Sequence, residues 1–292
     1  VGGLQGPEGE AHIRTLTAMA KEIGFDVPLY TATGWGGACI GDLLPVMGGY
    51  CEAPWDQRTC EIEPNANFVF SHTRNDALIA CDHHVENANS YNEEDFPFLT
   101  AELGGGLQVT MHRRPVAKGC DVGAMSTVKM GSGAGLLGYY MYHGGSNPKG
   151  KLSTLQESRA TGYLNDLPEI NYDFNAPIRQ YGTISDSYRE IKLLALFLND
   201  FGEDMASLRS EIPTIRILPG DMHTVRTACR HDADHGYVFF NNYQRRWKMD
   251  DHPQVKLEGL LDGKASVGFP AFDLKEGMYG FFPYNMKLND AV

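Results

Sequence analysis

Apolar, strand-like runs that end in glycine-rich turns, with helical periodicity between them, recur across residues 1–202 and constrain the fold more than any single motif. Residues 10–23 place Ile13, Leu16, Met19, Ala20 and Ile23 at helical spacing, and Gly24 follows as a stop. A short strand is expected at 27–33, running into Gly34-Trp35-Gly36-Gly37, and another at 44–50. Residues 98–101 read as a strand with Pro97 tolerated at its start, 119–131 as a helix, and 136–142 as a strand leading into His143-Gly-Gly-Ser-Asn147. A long helix is expected at 184–200, with Ile184, Tyr188, Ile191, Leu194 and Leu198 on one face. Ser187 and Glu190 have capping-box spacing, Thr183 competes as the cap, and Gly202 sits where a helix ends. Such alternation predicts parallel strands joined by crossover helices.

After residue 208 the pattern changes to short strand-like runs at 215–218, 224–229, 237–240, 279–282 and 285–288, with turns such as Asp262-Gly263 and Glu276-Gly277. This predicts a small all-β unit over 208–292, following an α/β unit over 1–207. Charge divides at the same point. Residues 208–292 carry 11 basic and 11 acidic side chains, so the formal −12 of the chain lies in residues 1–207. That balance argues against a nucleic-acid partner and is compatible with a neutral ligand such as a sugar. No apolar run is long enough for a membrane span. The chain begins at Val1 rather than methionine, so the lack of a leader-like segment says nothing about targeting. The compartment and the oligomeric state stay open, a periplasmic or extracellular location being slightly favoured.

The strand at 98–101 runs into Glu102, and Gly104-Gly105-Gly106 follow closely. A carboxylate at the end of a buried strand is costly unless it is used. Two readings are open from these residues: a solvated strand end, or the nucleophile of a sugar-cleaving barrel. The alternating part is shorter than the roughly 250 residues of a complete eight-fold barrel, so it is either a small open sheet or half of such a barrel. Asn92-Glu93 lies too close in sequence to Glu102 to project from a different strand and reads as a polar loop. The six cysteines contain no Cys-x-x-Cys pair, and His83-His84 lack the spacing of a metal site, so no metal and no cofactor is expected. Cys51 and Cys60 are close enough in sequence for a local bridge in an oxidising compartment, with free buried thiols as the alternative.

Several stretches, in order along nearly the whole chain, resemble glycoside hydrolase family 35, the β-galactosidases, and especially its bacterial members. They are Phe98-Leu-Thr-Ala-Glu-Leu-Gly-Gly-Gly, Gly138-Tyr-Tyr-Met-Tyr-His-Gly-Gly-Ser-Asn, Thr154-Leu-Gln-Glu-Ser, Asn171-Tyr-Asp-Phe-Asn-Ala-Pro and Phe240-Asn-Asn-Tyr-Gln-Arg. The resemblance implies that residues 1–207 are the C-terminal half of a TIM (β/α)8 barrel and that 208–292 are an accessory β domain. It implies a retaining exo-β-galactosidase that hydrolyses terminal β-linked galactose from glycans through a covalent glycosyl-enzyme intermediate. Glu102 matches the family's nucleophile. The opening Val1-Gly2-Gly3-Leu4-Gln5 looks like the loop after the family's general acid/base, which places that residue ahead of Val1 and leaves the chain as given inactive alone. Tyr140 and Tyr172 match tyrosines that contact the nucleophile or the sugar, whereas Phe174 stands where some relatives carry a second tyrosine. At the mouth of such a barrel Tyr30 and Trp35 would stack on a sugar or pack internally, and His143 and Asn147 lie on loops of the same face. The alternatives are a retaining glycosidase for another β-linked sugar, such as a glucosaminide, and a non-catalytic sugar-binding protein.

Overall fold

The computed structural model describes residues 6–31, 39–53, 56, 58, 61–74, 91–109, 113–151 and 170–287. Helix α1 (Gly6–Glu22) comes first. Strands β1 (Met47–Gly49), β2 (Leu99–Gly104) and β3 (Leu136–Tyr140) form a parallel sheet in the order β1-β2-β3, with α2 (Gly119–Gly131) between β2 and β3. Gly48 lies opposite Glu102, and Leu103 opposite Tyr139. A two-residue antiparallel pair, β4 (Gly145–Ser146) with β5 (Asn171–Tyr172), follows, and then the long helix α3 (Asp186–Ser207). Strands β6 (Arg209–Glu211), β7 (Arg226–His231) and β8 (Gly236–Asn241) build an antiparallel sheet with β13 (Tyr279–Tyr284), in the order β13-β8-β7-β6. Two small antiparallel pairs complete this part. They are β9 (His252–Val255) with β12 (Phe272–Leu274), and β10 (Glu258–Leu261) with β11 (Lys264–Gly268). Among the described residues no helix is long and apolar enough to cross a membrane.

The expected half barrel over 1–207 is not what forms. The described residues hold three α-helices, small sheets and no repeating strand–helix barrel. Two 3₁₀ turns, Ala66–Phe68 and Glu93–Asp95, are the helical elements described between β1 and β2. The apolar stripe of α1 does not cover a sheet: Leu16, Met19 and Ile23 are 46%, 54% and 74% exposed. Periodicity reports that a segment can be helical, but it does not say which surface the stripe will meet. The residues expected as the strand at 27–33 give a single bridge, Tyr30 with Leu44, before the chain leaves the described residues.

Other expectations change for local reasons. Helix α3 starts after Ser185 and continues through Gly202 to Ser207. Buried Met205 and Leu208 extend its apolar stripe, and their packing outweighs the cost of about 1 kcal/mol for an internal glycine. The run at 215–218 is no strand: Pro213 and Pro219 flank it, and Ile215 and Leu218 are exposed. β13 ends at Tyr284 because Asn285 turns left-handed, with φ 54°, so no strand forms from 285 onward within the described residues.

Helix α2 is the centre of the packing, and every residue in it except Cys120 is buried. On one side Ala124 and Met125 pack with Tyr50, Phe68, Leu103 and Leu107 from the parallel-sheet region. On the other, Val128 and Met130 join Tyr237 and Phe239 of β8, Ala228 of β7, and Met205 and Leu208. Close approach needs small residues. A Cβ on Gly131 would lie 2.5 Å from the Phe70 ring, and one on Gly123 2.6 Å from the Tyr279 hydroxyl. Ser126 and Thr127 bond back to the carbonyls of Val122 and Gly123, which lets a helix with polar side chains stay buried.

Helix C-termini leave carbonyls without intrahelical donors. Arg230 of β7, 2% exposed, serves two of them. Its Nη1 donates to Met130 O and Ala134 O after α2 (3.3 and 2.9 Å), and its Nη2 donates to Leu208 O after α3 (3.3 Å). Burial pulls its pKa down to about 10, so it remains a cation at neutral pH. Arg230→Met keeps the apolar bulk and removes all three hydrogen bonds. It should lower stability by about 2–4 kcal/mol, read as a fall in the urea midpoint at constant slope. An unchanged midpoint would show that water satisfies these carbonyls.

Candidate active site

Alternation along β2 separates two tasks. Leu103 is fully buried against α2, while the neighbouring Glu102 carboxylate meets the Tyr50 hydroxyl, which donates to Oε1 at 2.9 Å. Tyr50 immediately follows β1, the strand beside β2, so parallel pairing brings the two strand ends together. Its ring is buried over Gly104, where a Cβ would stand 2.6 Å from Cδ1. Its carbonyl accepts from Asn65 Nδ2 (3.1 Å) and Asn67 Nδ2 (2.9 Å). Burial first, and then the Glu102 charge, raise the Tyr50 pKa well above 10, so the phenol stays protonated and donates. Tyr140 and Tyr172 act on Tyr50 in the same sense.

The same alternation sorts the tyrosines of β3. Tyr139 turns inward, bonding Ser126 Oγ of α2 at 2.9 Å, and burial pushes its pKa up to about 12. Tyr140 turns outward, and its hydroxyl bonds that of Tyr172 on β5. Phe174 completes an aromatic wall. Its ring centroid lies 4.5 Å from that of Tyr172 and 5.8 Å from that of Tyr140. Phe174 and Asn175 are both left-handed, with φ 51° and 54°, in a tight turn closed by Ala176 N–H to Asp173 O at 2.9 Å. A left-handed phenylalanine costs about 1 kcal/mol or more and needs tertiary support. The glycine loop after β2 supplies it. Asn175 Nδ2 donates to Leu107 O at 3.2 Å, and a Cβ on Gly106 would lie 2.0 Å from Phe174 O. Gly105 N–H donates to Tyr140 O at 3.2 Å, linking this loop to β3.

The expected site residues are therefore placed as follows. Tyr140 and Tyr172 come together through their hydroxyls with Phe174 beside them, and Glu102 meets Tyr50, on which both tyrosines act. Asn147 is buried just after β4, its N–H bonded to Ile170 O at 2.7 Å, which ties it to the strand pair that carries Tyr172. His143 is exposed and Tyr30 largely so. Trp35, Cys60, His83 and His84, and the Thr154-Leu-Gln-Glu-Ser stretch lie outside the described residues; Cys51 is a buried free thiol. Asn92 caps the turn at the opposite end of β2 from Glu102, accepting from Glu94 N–H. Sequence reasoning passed over Tyr50, although Gly48-Gly49-Tyr50 repeats the glycine–aromatic strand end of Gly138-Tyr139-Tyr140.

Chemically, the group is an oriented carboxylate with a phenol donor, two further hydroxyls and an apolar ring face. Comparison with protein-family models and with curated proteins gives no match to this chain.

Gly106→Ala should force the Phe174 turn off the β2 loop. We expect a melting temperature lower by several degrees, with far-ultraviolet circular dichroism retained below the transition. An unshifted transition would show that the two loops are not in register.

Proposed function

We propose that this protein is a retaining glycosidase in which Glu102 is the nucleophile, acting on the terminal sugar of a β-galactoside. The Tyr50–Glu102 hydrogen bond carries the reading. A donated hydrogen bond favours the ionised carboxylate, and a fixed donor on one oxygen orients the other toward an anomeric carbon. Tyr140 and Tyr172 offer hydroxyls to a polyol, and Phe174 offers a face to its C–H groups. The ordered sequence resemblance supports galactose as the sugar. The net charge of −12 favours a neutral substrate over an anionic one.

In the proposed cycle Glu102 attacks the anomeric carbon, a bond to the carboxylate oxygen forms, and the bond to the leaving oxygen breaks. A second carboxyl group protonates that oxygen and then takes a proton from the water that releases the sugar.

A fluoride leaving group needs no protonation, so it tests the nucleophile separately from the acid. Incubation with 2-deoxy-2-fluoro-β-galactosyl fluoride should add one fluorosugar per chain, mapped by peptide mass spectrometry to Glu102. Glu102→Gln should take up none. Labelling by the gluco isomer instead would move the specificity, and galactose binding without any label would make the protein a lectin rather than an enzyme.

A further inference from the structure

The segment that leaves β1 carries Tyr50, and it is held by one arginine ahead of α2 and by two from the antiparallel part of the molecule. Two residues beyond Tyr50, the buried Glu52 carboxylate meets three arginines. Arg113 Nη2 donates to Oε1, Arg245 Nε donates to Oε2 at 2.7 Å, and Arg246 Nη2 lies 3.2 Å from Oε2. Arg113 Nη1 also donates to Ala53 O at 2.7 Å. Arg245 sits between two buried carboxylates, for its Nη1 bonds Asp121 and also Val116 O at 3.1 Å. Asp121, in the first turn of α2, accepts from Lys118 N–H at 2.8 Å and from the Tyr243 hydroxyl at 2.7 Å. Tyr243, Arg245 and Arg246 all lie on the turn after β8. One guanidinium fork thus joins the Tyr50 segment to the start of the helix that follows β2.

A buried ion cluster of this kind is a poor source of net stability, because desolvating the charges offsets most of their attraction. Its use is geometric. The rigid planar fork of Arg245 fixes direction at two carboxylates at once, which a lysine or an apolar pair cannot do. Asn65 and Asn67 on Tyr50 O, and Arg113 on Ala53 O, also hold its backbone. Among the described residues, Glu102 from β2, Tyr140 from β3 and Tyr172 from β5 act electrostatically on the Tyr50 hydroxyl.

We propose that Arg245, acting through Glu52, is a positioning residue that sets the Tyr50 hydroxyl on Glu102. The catalytic consequence rests on the reading of Glu102 as nucleophile; the geometric claim does not. It also gives the strands beyond residue 208 a part in the site.

The test is a carbon-13 NMR titration of the Glu102 carboxyl in the 292-residue chain, with the resonance assigned through Glu102→Gln. Glu52→Gln removes a negative charge, and by direct electrostatics alone it would lower the Glu102 pKa. Loss of the Tyr50 donor would raise it, and a rise of about one unit is expected. Arg245→Lys keeps the cation and loses the fork, and it should raise the same pKa and slow labelling by the fluorosugar. A Glu102 pKa that falls or holds in Glu52→Gln, or is unmoved in Arg245→Lys, overturns the proposal. If Glu52→Gln fails to fold, Arg245→Lys decides alone. A wild-type chain that takes no label loses the nucleophile reading, while the two titrations still judge the tether.

Discussion

The structure depends on the burial of α2. A helix with almost no solvent-facing residue is stable only when other surfaces enclose it. Here the β2 side supplies Leu103 and Leu107, and the antiparallel sheet supplies Tyr237 and Phe239. Neither surface is complete without the helix, so the two halves of the chain fold around one element. Arginines on β7 extend the dependence. Arg230 answers the carbonyls at the ends of α2 and α3, and Arg226 donates to Phe68 O (3.0 Å) and Asp221 O (2.9 Å) from a fully buried position. Their carbonyl partners satisfy most of what burial would otherwise leave unpaired.

The candidate site follows from that packing through the pleat of β2. Because Leu103 is committed to the helix, Glu102 must point the other way, toward the ends of β1 and β3. The glycines after β2 remove the side chains that would block the Tyr50 ring and the Phe174 turn. What results is a carboxylate with a protonated phenol on one oxygen and an aromatic wall nearby.

Legibility in the sequence differs from element to element. Helix 119–131 and the strands near 98–101, 136–142, 224–229, 237–240 and 279–282 were readable because apolar pattern and turn residues agree locally. The end of α3 was not, because Gly202 reads as a stop until the burial of Met205 and Leu208 is known. The barrel expectation failed for a deeper reason. Strand–helix alternation implies crossover units only if each helix packs on the sheet, and α1 leaves its apolar stripe exposed. Tyr50 was hidden because its role exists only across the β1–β2 pairing, which no local spacing encodes.

The sequence by itself determined the carboxylate at the end of an apolar strand, the glycines behind it, the tyrosines of the later segments and the change of pattern near residue 208. These are properties of neighbours along the chain. Tertiary structure alone decided that Tyr50 donates to Glu102, that the Phe174 turn rests on Gly106, and that Arg245 reaches Glu52 from 193 residues away. The reason is physical: hydrogen bonds and buried ion pairs act over a few ångströms, and only the packing around α2 brings those residues that close.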